Sequence, residues 1–219
     1  MASSHNHKND RKAALARAQA ELRSRQRRTR VLTWSIVGLV VVGALGGAAA
    51  VIAGAAGEQR ELATAAASPI AGVEETTDLS AQHVPALPGP VASAPGTLLP
   101  PVGGDHDPVW QNCGVYTEPV STFNAVHSLE HGAVWVTYAP GLADSQLAAL
   151  TEAVQPYSYT ILSPFEELAA PIVLTAWGAQ LELDDPSDER LSVFLARYVQ
   201  GEQTPEPGAA CSGGVGQPS

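Results

Sequence analysis

Residues 125–138 read Ala-Val-His-Ser-Leu-Glu-His-Gly-Ala-Val-Trp-Val-Thr-Tyr. The two halves obey different rules. The second half, 132–138, is β-branched and aromatic, which predicts a strand. The first half puts His127 and His131 four residues apart with Glu130 between them. On a helix those two imidazoles share a face and could grip one metal ion. Gly132 follows at once, so any helix here is only one or two turns long and gives way to the strand.

Downstream, the periodicity predicts four further elements. Asp144 is a good N-cap for a helix to about Gln155, with Leu147, Leu150 and Val154 on one face. Residues 157–162 (YSYTIL) predict a second strand, and 171–177 (PIVLTAW) a third, the most buried. Asp185-Pro186 should cap a second helix, with Leu191, Phe194, Leu195 and Tyr198 as its apolar stripe. The order β-α-β-β-α implies an α+β fold, a small sheet with helices on one face. The compact core spans roughly 105–200. A Pro/Gly-rich arm, 81–109, precedes it and should be extended rather than helical.

Upstream, charge is partitioned. The first 30 residues carry nine basic and two acidic side chains. Residues 31–57 carry no charge at all. As a helix those 27 residues reach roughly 40 Å, enough to cross about 30 Å of hydrocarbon with some tilt. The basic flank places the N-terminus in the cytoplasm, and everything after residue 57 outside. A cleaved signal peptide is the rival reading, but the charged lead and the apolar run are both long for one. The expectation is therefore a cell-membrane protein with a single N-terminal transmembrane helix. Its regions are a basic tail (1–30), the span (31–57), a spacer (58–80), an extracytoplasmic domain (81–208) and a C-terminal tail (209–219). After residue 57 there are three basic and 20 acidic residues. An acidic exterior excludes nucleic acid and anionic lipid surfaces as its partners. The expected partners are the membrane itself and a membrane-complex or envelope protein.

The chain has two cysteines, Cys113 and Cys211. In an oxidising compartment a pair of this kind predicts one disulfide, tying the tail to the start of the core. The alternative, a redox or metal-binding thiol pair, has no CxxC spacing to support it.

Of six histidines, His5 and His7 lie in the basic tail. The other four, His83, His106, His127 and His131, all fall before or beside the first predicted strand. At this point the residues resemble a known family. Pro100-Pro101-Val-Gly-Gly-Asp-His106, Cys113-Gly-Val-Tyr116 and Val126-His-Ser-Leu-Glu-His-Gly-Ala133 resemble the bacterial family catalogued as domain of unknown function 3105. So do His83-Val84-Pro85 and Trp177-Gly178. The likeness covers about residues 80–208, and the His-Ser-Leu-Glu-His-Gly block is its most specific part. The chain departs from the family pattern at 102–104, which alters a loop and leaves His106 in place. The resemblance implies a membrane-anchored, extracytoplasmic bacterial domain and supplies no reaction.

Four readings compete for the histidines. The string His127-Ser-Leu-Glu130-His131 fits the HxxEH pattern of inverted zinc peptidases. That chemistry needs a longer helix, a third ligand and a cleft, for which the chain has little room. A non-catalytic metal site fits better. His127 and His131 would be joined by His106 or His83, with Glu130 or Asp105 as an oxygen ligand or outer partner, holding Zn²⁺ or Cu²⁺. The competing reading is an interaction module whose histidines bond backbone carbonyls and lock the arm over the sheet. A metal-dependent enzyme of another type, with two histidines and a carboxylate, is the fourth. Trp110, Trp135, Trp177, Tyr116 and Tyr138 are expected to be packing residues.

Overall fold

The computed structural model describes residues 3–85 and 99–219. Two compact units divide at Glu58 and Gln59. The first consists of helix, part of α1 (Ser3–Ala66), which contains the uncharged run 31–57. The side chains of residues 31, 32 and 36–50 lie outside the described residues. Among the described residues no helix is long and apolar enough to cross a membrane.

The second unit, Gln59–Ser219, carries the sheet. Its elements are β1 (Glu74–Glu75), β2 (Gly114–Val115), α2 (Thr122–Glu130), β3 (Val134–Tyr138), α3 (Asp144–Val154), β4 (Thr160–Pro164), β5 (Ile172–Ala176), β6 (Ala179–Leu183) and α4 (Glu189–Tyr198). The strand order is β1-β6-β5-β3-β4-β2. β4 runs parallel to both β3 and β2, whereas the β3–β5, β5–β6 and β1–β6 pairs are antiparallel. The three predicted strands stand as β3, β4 and β5, and the fold is α+β.

The pattern omitted β6. Residues 176–179 form a two-residue hairpin through Trp177 and Gly178, whose φ of +70° suits glycine. A side chain there would also press on the Thr76 carbonyl, 2.7 Å from its Cβ. The stretch read as a spacer supplies β1, and Ile70 and Val73 pack against the core.

The expectation of helices on one face is corrected. Successive strand residues point to opposite faces. Val134, Val136 and Tyr138 of β3 enter a core with Leu150 and Val154 of α3 and Leu191, Phe194, Leu195 and Tyr198 of α4. Trp135 faces the other way and packs with Ala125, Val126 and Leu129 of α2 and with Ile161 of β4. The sheet is therefore covered on both faces, and β3 is buried along its whole length. α2 escaped the periodicity reading because half of its buried face is polar, with His127, Ser128 and Glu130 all inside.

α2 ends in a Schellman motif. The Gly132 amide donates to the Leu129 carbonyl at 2.9 Å, and the Ala133 amide to Ser128 at 2.9 Å. Gly132 has φ +94°, and a Cβ there would collide with the Gln200 amide nitrogen. The start of α4 also shifts from the expectation. Asp188 caps it by accepting from the Arg190 amide at 2.9 Å, while Asp185 accepts from the Ser187 amide in the preceding turn. α3 begins with Asp144 in its first turn and Ala143 at the cap.

The tail wraps back onto the domain. Cys113 and Cys211 form a disulfide across 98 residues, with Cα atoms 5.3 Å apart. The chain-entropy model gives a loop of that size about 4–5 kcal/mol. Beyond it Val215 bridges to Gln111, and the Ser219 amide donates to Val115 at 2.8 Å. The tail thus lies along residues 110–115 and, through Ala210, beside His131 at the end of α2.

Candidate metal centre

Three segments converge. The arm brings His83 and His106 side by side in an isolated parallel bridge, with the Val84 amide donating to His106 O and the His106 amide to Gln82 O. α2 brings His127 and Glu130, and its C-cap brings His131. The rings pack together: His83 stacks on His127 with centroids 4.6 Å apart, and His106 meets both edge-on at 4.9 Å. Ligand atoms of His83, His106, His127 and Glu130 all lie within 4.8 Å of one another. His131 flanks this set, its Nε2 2.9 Å from Nε2 of His127. His106 is fully buried, His127, Glu130 and His131 nearly so, and the His83 side chain is 42% exposed.

The outward nitrogens of three rings decide their chemistry. His106 Nδ1 lies 2.8 Å from the Gly104 carbonyl, His127 Nδ1 2.6 Å from Asp107 O, and His131 Nδ1 2.6 Å from Ala210 O. A carbonyl only accepts, so Nδ1 carries the proton in all three rings. In a neutral imidazole Nε2 is then a lone pair. The Nε2 atoms of His127 and His131 face each other at 2.9 Å, acceptor to acceptor. His106 Nε2 faces Glu130 Oε2 at 2.9 Å, again acceptor to acceptor when the carboxylate is ionised. Only a proton or a cation satisfies such contacts in a buried place. His83 Nε2, 3.2 Å from the same Oε2, can donate as a neutral ring.

Burial holds the His127 imidazole below the ordinary histidine range. Its bond to Asp107 opposes this, and the neighbouring imidazoles of His131, His106 and His83 add to the depression. A neutral ring with its lone pair aimed inward is the form that binds a metal. The backbone carbonyls behind the rings are the partners that fix a ligand histidine's tautomer. Around one tetrahedral Zn²⁺ with bonds of about 2.0–2.1 Å, ligand atoms stand about 3.3–3.4 Å apart. The observed set, within 4.8 Å, is wider than that, so the side chains would have to draw in around an ion.

Of the five expected ligands, His83, His106, His127 and Glu130 form one close group, and His131 flanks it beside His127. Asp105 stands apart: its carboxylate turns to the Ser80 hydroxyl at 2.5 Å on the exposed side of the arm. Glu130 does not stand as a free base beside a His127–His131 pair, as a peptidase would need, because its Oε2 is engaged by His83 and His106. Sequence reasoning missed Glu206, whose carboxylate is 3.7 Å from His131 Nε2. Nothing in its local sequence marks it, because only the disulfide-tied tail brings it there.

The aromatic residues divide. Trp135 is core, donating to Ser163 Oγ at 2.9 Å, and Tyr116 donates to the Asn112 carbonyl at 2.7 Å. Tyr138 packs in the α3–α4 core. Burial raises the phenol pKa of both tyrosines, as expected for packing residues. Trp177 and Trp110 pack as well, but against the site: Trp177 meets the His106 ring at 5.9 Å, and Trp110 meets His131 at 5.3 Å and His127 at 5.8 Å.

The fold and site together define a small α+β domain that gathers imidazoles and a carboxylate where an arm, a short helix and a tail meet. Residues 97–213, more than half of the chain, match the family described as protein of unknown function (DUF3105), and the chain belongs to it. The match takes in His106, His127, Glu130, His131 and both cysteines, while His83 lies upstream of it. No curated protein and no solved structure matches the chain.

Proposed function

We propose that this chain is a metal-binding accessory protein of the cell envelope. It would hold a divalent ion, Zn²⁺ or Cu²⁺, through Nε2 of His83, His106 and His127 and the Glu130 carboxylate. The observation that carries the reading is the inward aim of the buried Nε2 lone pairs of His106 and His127, fixed by Nδ1 bonds to the Gly104 and Asp107 carbonyls. Imidazole with carboxylate suits Zn²⁺ and Cu²⁺, and the disulfide removes both thiols from the ligand pool. The uncharged run 31–57 behind a basic lead supports a single-pass anchor with a cytoplasmic N-terminus and this domain outside. A membrane-complex or envelope protein is the partner class such an accessory domain would serve.

The second reading, a docking module with a histidine latch, has its own support. A protonated His106 beside Glu130 would form a buried ion pair, and the three carbonyl bonds tie arm and tail to α2. The experiment is metal analysis of the full-length chain after Zn²⁺ and Cu²⁺ loading, with His106→Ala and His127→Ala beside it. A tightly bound ion, lost in both variants while circular dichroism stays native, supports the metal centre. No bound ion, with melting unchanged by metal, supports the latch.

A further inference from the structure

We propose that His131 and Glu206 form a second, outer cation position, through which a divalent ion loads the inner set. The inference rests on the metal reading of His83, His106, His127 and Glu130. Their four ligand atoms form one mutually close group that does not include His131. If His127 spends its lone pair on an inner ion, His131 Nε2 keeps its own. That lone pair is buried, fixed by the Ala210 carbonyl, and directed at nothing that donates.

Among the described residues, Glu206 is the one carboxylate that meets it. Its Oε2 stands 3.7 Å from His131 Nε2, and its side chain is 53% exposed. Glu206 is held there by its backbone. Pro205 and Pro207 flank it and restrict the chain on both sides. Its amide donates to the Glu130 carbonyl at 3.0 Å, and its own carbonyl accepts from Ala209. Two residues on, the Gly208 amide donates to Gln200 Oε1 at 2.8 Å. A buried imidazole lone pair beside a pinned, solvent-facing carboxylate is a ligand pair with one end wet and one end dry.

The chemistry assigns a role to each end. A carboxylate and water suit capture of a hydrated ion, and imidazole suits its partly dehydrated form. His127 lies within reach of both positions, 2.9 Å from His131 and inside the inner group. It can therefore exchange from the outer ion to the inner one without leaving its bond to Asp107. The ligand is a divalent cation of the borderline class, Zn²⁺ or Cu²⁺.

The test uses the full-length chain, Zn²⁺ titrated by calorimetry, and loading followed by stopped flow from a fluorescent zinc chelator. The wild type should take one tight equivalent and one weaker. Glu206→Gln should keep the tight equivalent, lose the weaker one, and load about tenfold or more slowly, the scale on which local charge changes association. Glu202→Gln, an exposed carboxylate of the same turn region, should behave as wild type. A Glu206→Gln chain with both equivalents, or with wild-type loading, overturns the outer position and leaves the inner set standing. A wild type that binds no zinc overturns the metal reading and this inference together.

Discussion

The Nε2 atoms of His127 and His131 stand 2.9 Å apart while both Nδ1 atoms face backbone carbonyls, of Asp107 and Ala210. The contact is close because the two residues are four apart on one helical face. It is poor in the absence of a proton or cation, because neither facing atom carries a hydrogen in the neutral rings.

That relationship sets a pH dependence. The His127 pKa is lowered in the folded protein, chiefly by burial, from an ordinary value of about 6.5. Below about pH 6.5 the unfolded chain therefore binds more protons at this residue than the folded one. Stability without metal should fall as pH drops from 6.5 towards the folded pKa, with a limiting slope of about 1.4 kcal/mol per pH unit for one proton. Urea unfolding between pH 5 and 8 in the presence of a chelator measures it. His127→Gln should flatten the slope, and an unchanged slope would remove His127 as its source.

Glu130→Gln separates charge from shape. The amide keeps the volume and an acceptor for His83, but it offers a neutral, weaker ligand and no charge to offset an ion. Metal affinity should fall at least about 10–100-fold, the range that outer partners of a ligand command on their own. Competition with a chelator of known affinity reads this out. Equal affinity in the variant would place the ion away from Glu130.

The disulfide should couple tail and site. Cys211 follows Ala210, whose carbonyl fixes the His131 tautomer, and the Cys113 amide donates to Cys211 O at 2.8 Å. Cys113→Ser with Cys211→Ser should lower stability by about 2–5 kcal/mol in denaturant unfolding. Histidine NMR should also show the His131 ring losing its fixed tautomer. An undisturbed His131 signal would show that the backbone bonds alone hold the tail.

Much of this was legible in the sequence, and the failures share a physical cause. The strands β3, β4 and β5 are short apolar runs, and the stripe Leu191, Phe194, Leu195 and Tyr198 has helical spacing, so hydrophobicity alone marks them. α2 buries His127, Ser128 and Glu130, so its pattern looks polar where it is inside, and the layer it forms on the second sheet face went unread. β6 alternates Leu181 and Leu183 with Gln180 and Glu182, but the two-residue turn before it disguised the break. The histidines were visible as a set because metal chemistry uses few residue types. Asp105 and Glu130 offer the same carboxylate in the sequence, and only the path of the arm turns Asp105 towards Ser80. Glu206 could not be found from spacing, because 75 residues separate it from His131.

Gly132→Ala tests the junction where helix becomes strand. The φ of +94° lies in the left-handed region, which disfavours a Cβ by about 1–2 kcal/mol. The added methyl would also meet the Gln200 amide, which donates to the His131 carbonyl at 2.5 Å, and Thr204 Cγ2 at 3.1 Å. Thermal unfolding should therefore show a loss larger than the backbone term alone. Because His131 is the C-cap, metal affinity should fall with it, unlike a core substitution such as Leu150→Ala behind the opposite face of the sheet. A Gly132→Ala protein with native stability would mean that the Gln200 contact yields without consequence.

Thr204→Val asks the opposite question, whether a group can be removed to advantage. Among the described residues Thr204 Oγ1 is the buried side-chain polar atom with no hydrogen-bond partner. Leaving such a hydroxyl unsatisfied costs about 1–3 kcal/mol, whereas valine has the same shape without it. The substitution should hold or raise stability by about 1 kcal/mol in denaturant unfolding. Its side chain touches the space beside Gly132, two residues before Glu206, so repacking there would register at the tail. A loss of stability on removing the hydroxyl would show that it has a partner in solution, and its position makes a water held between the tail and the end of α2 the candidate.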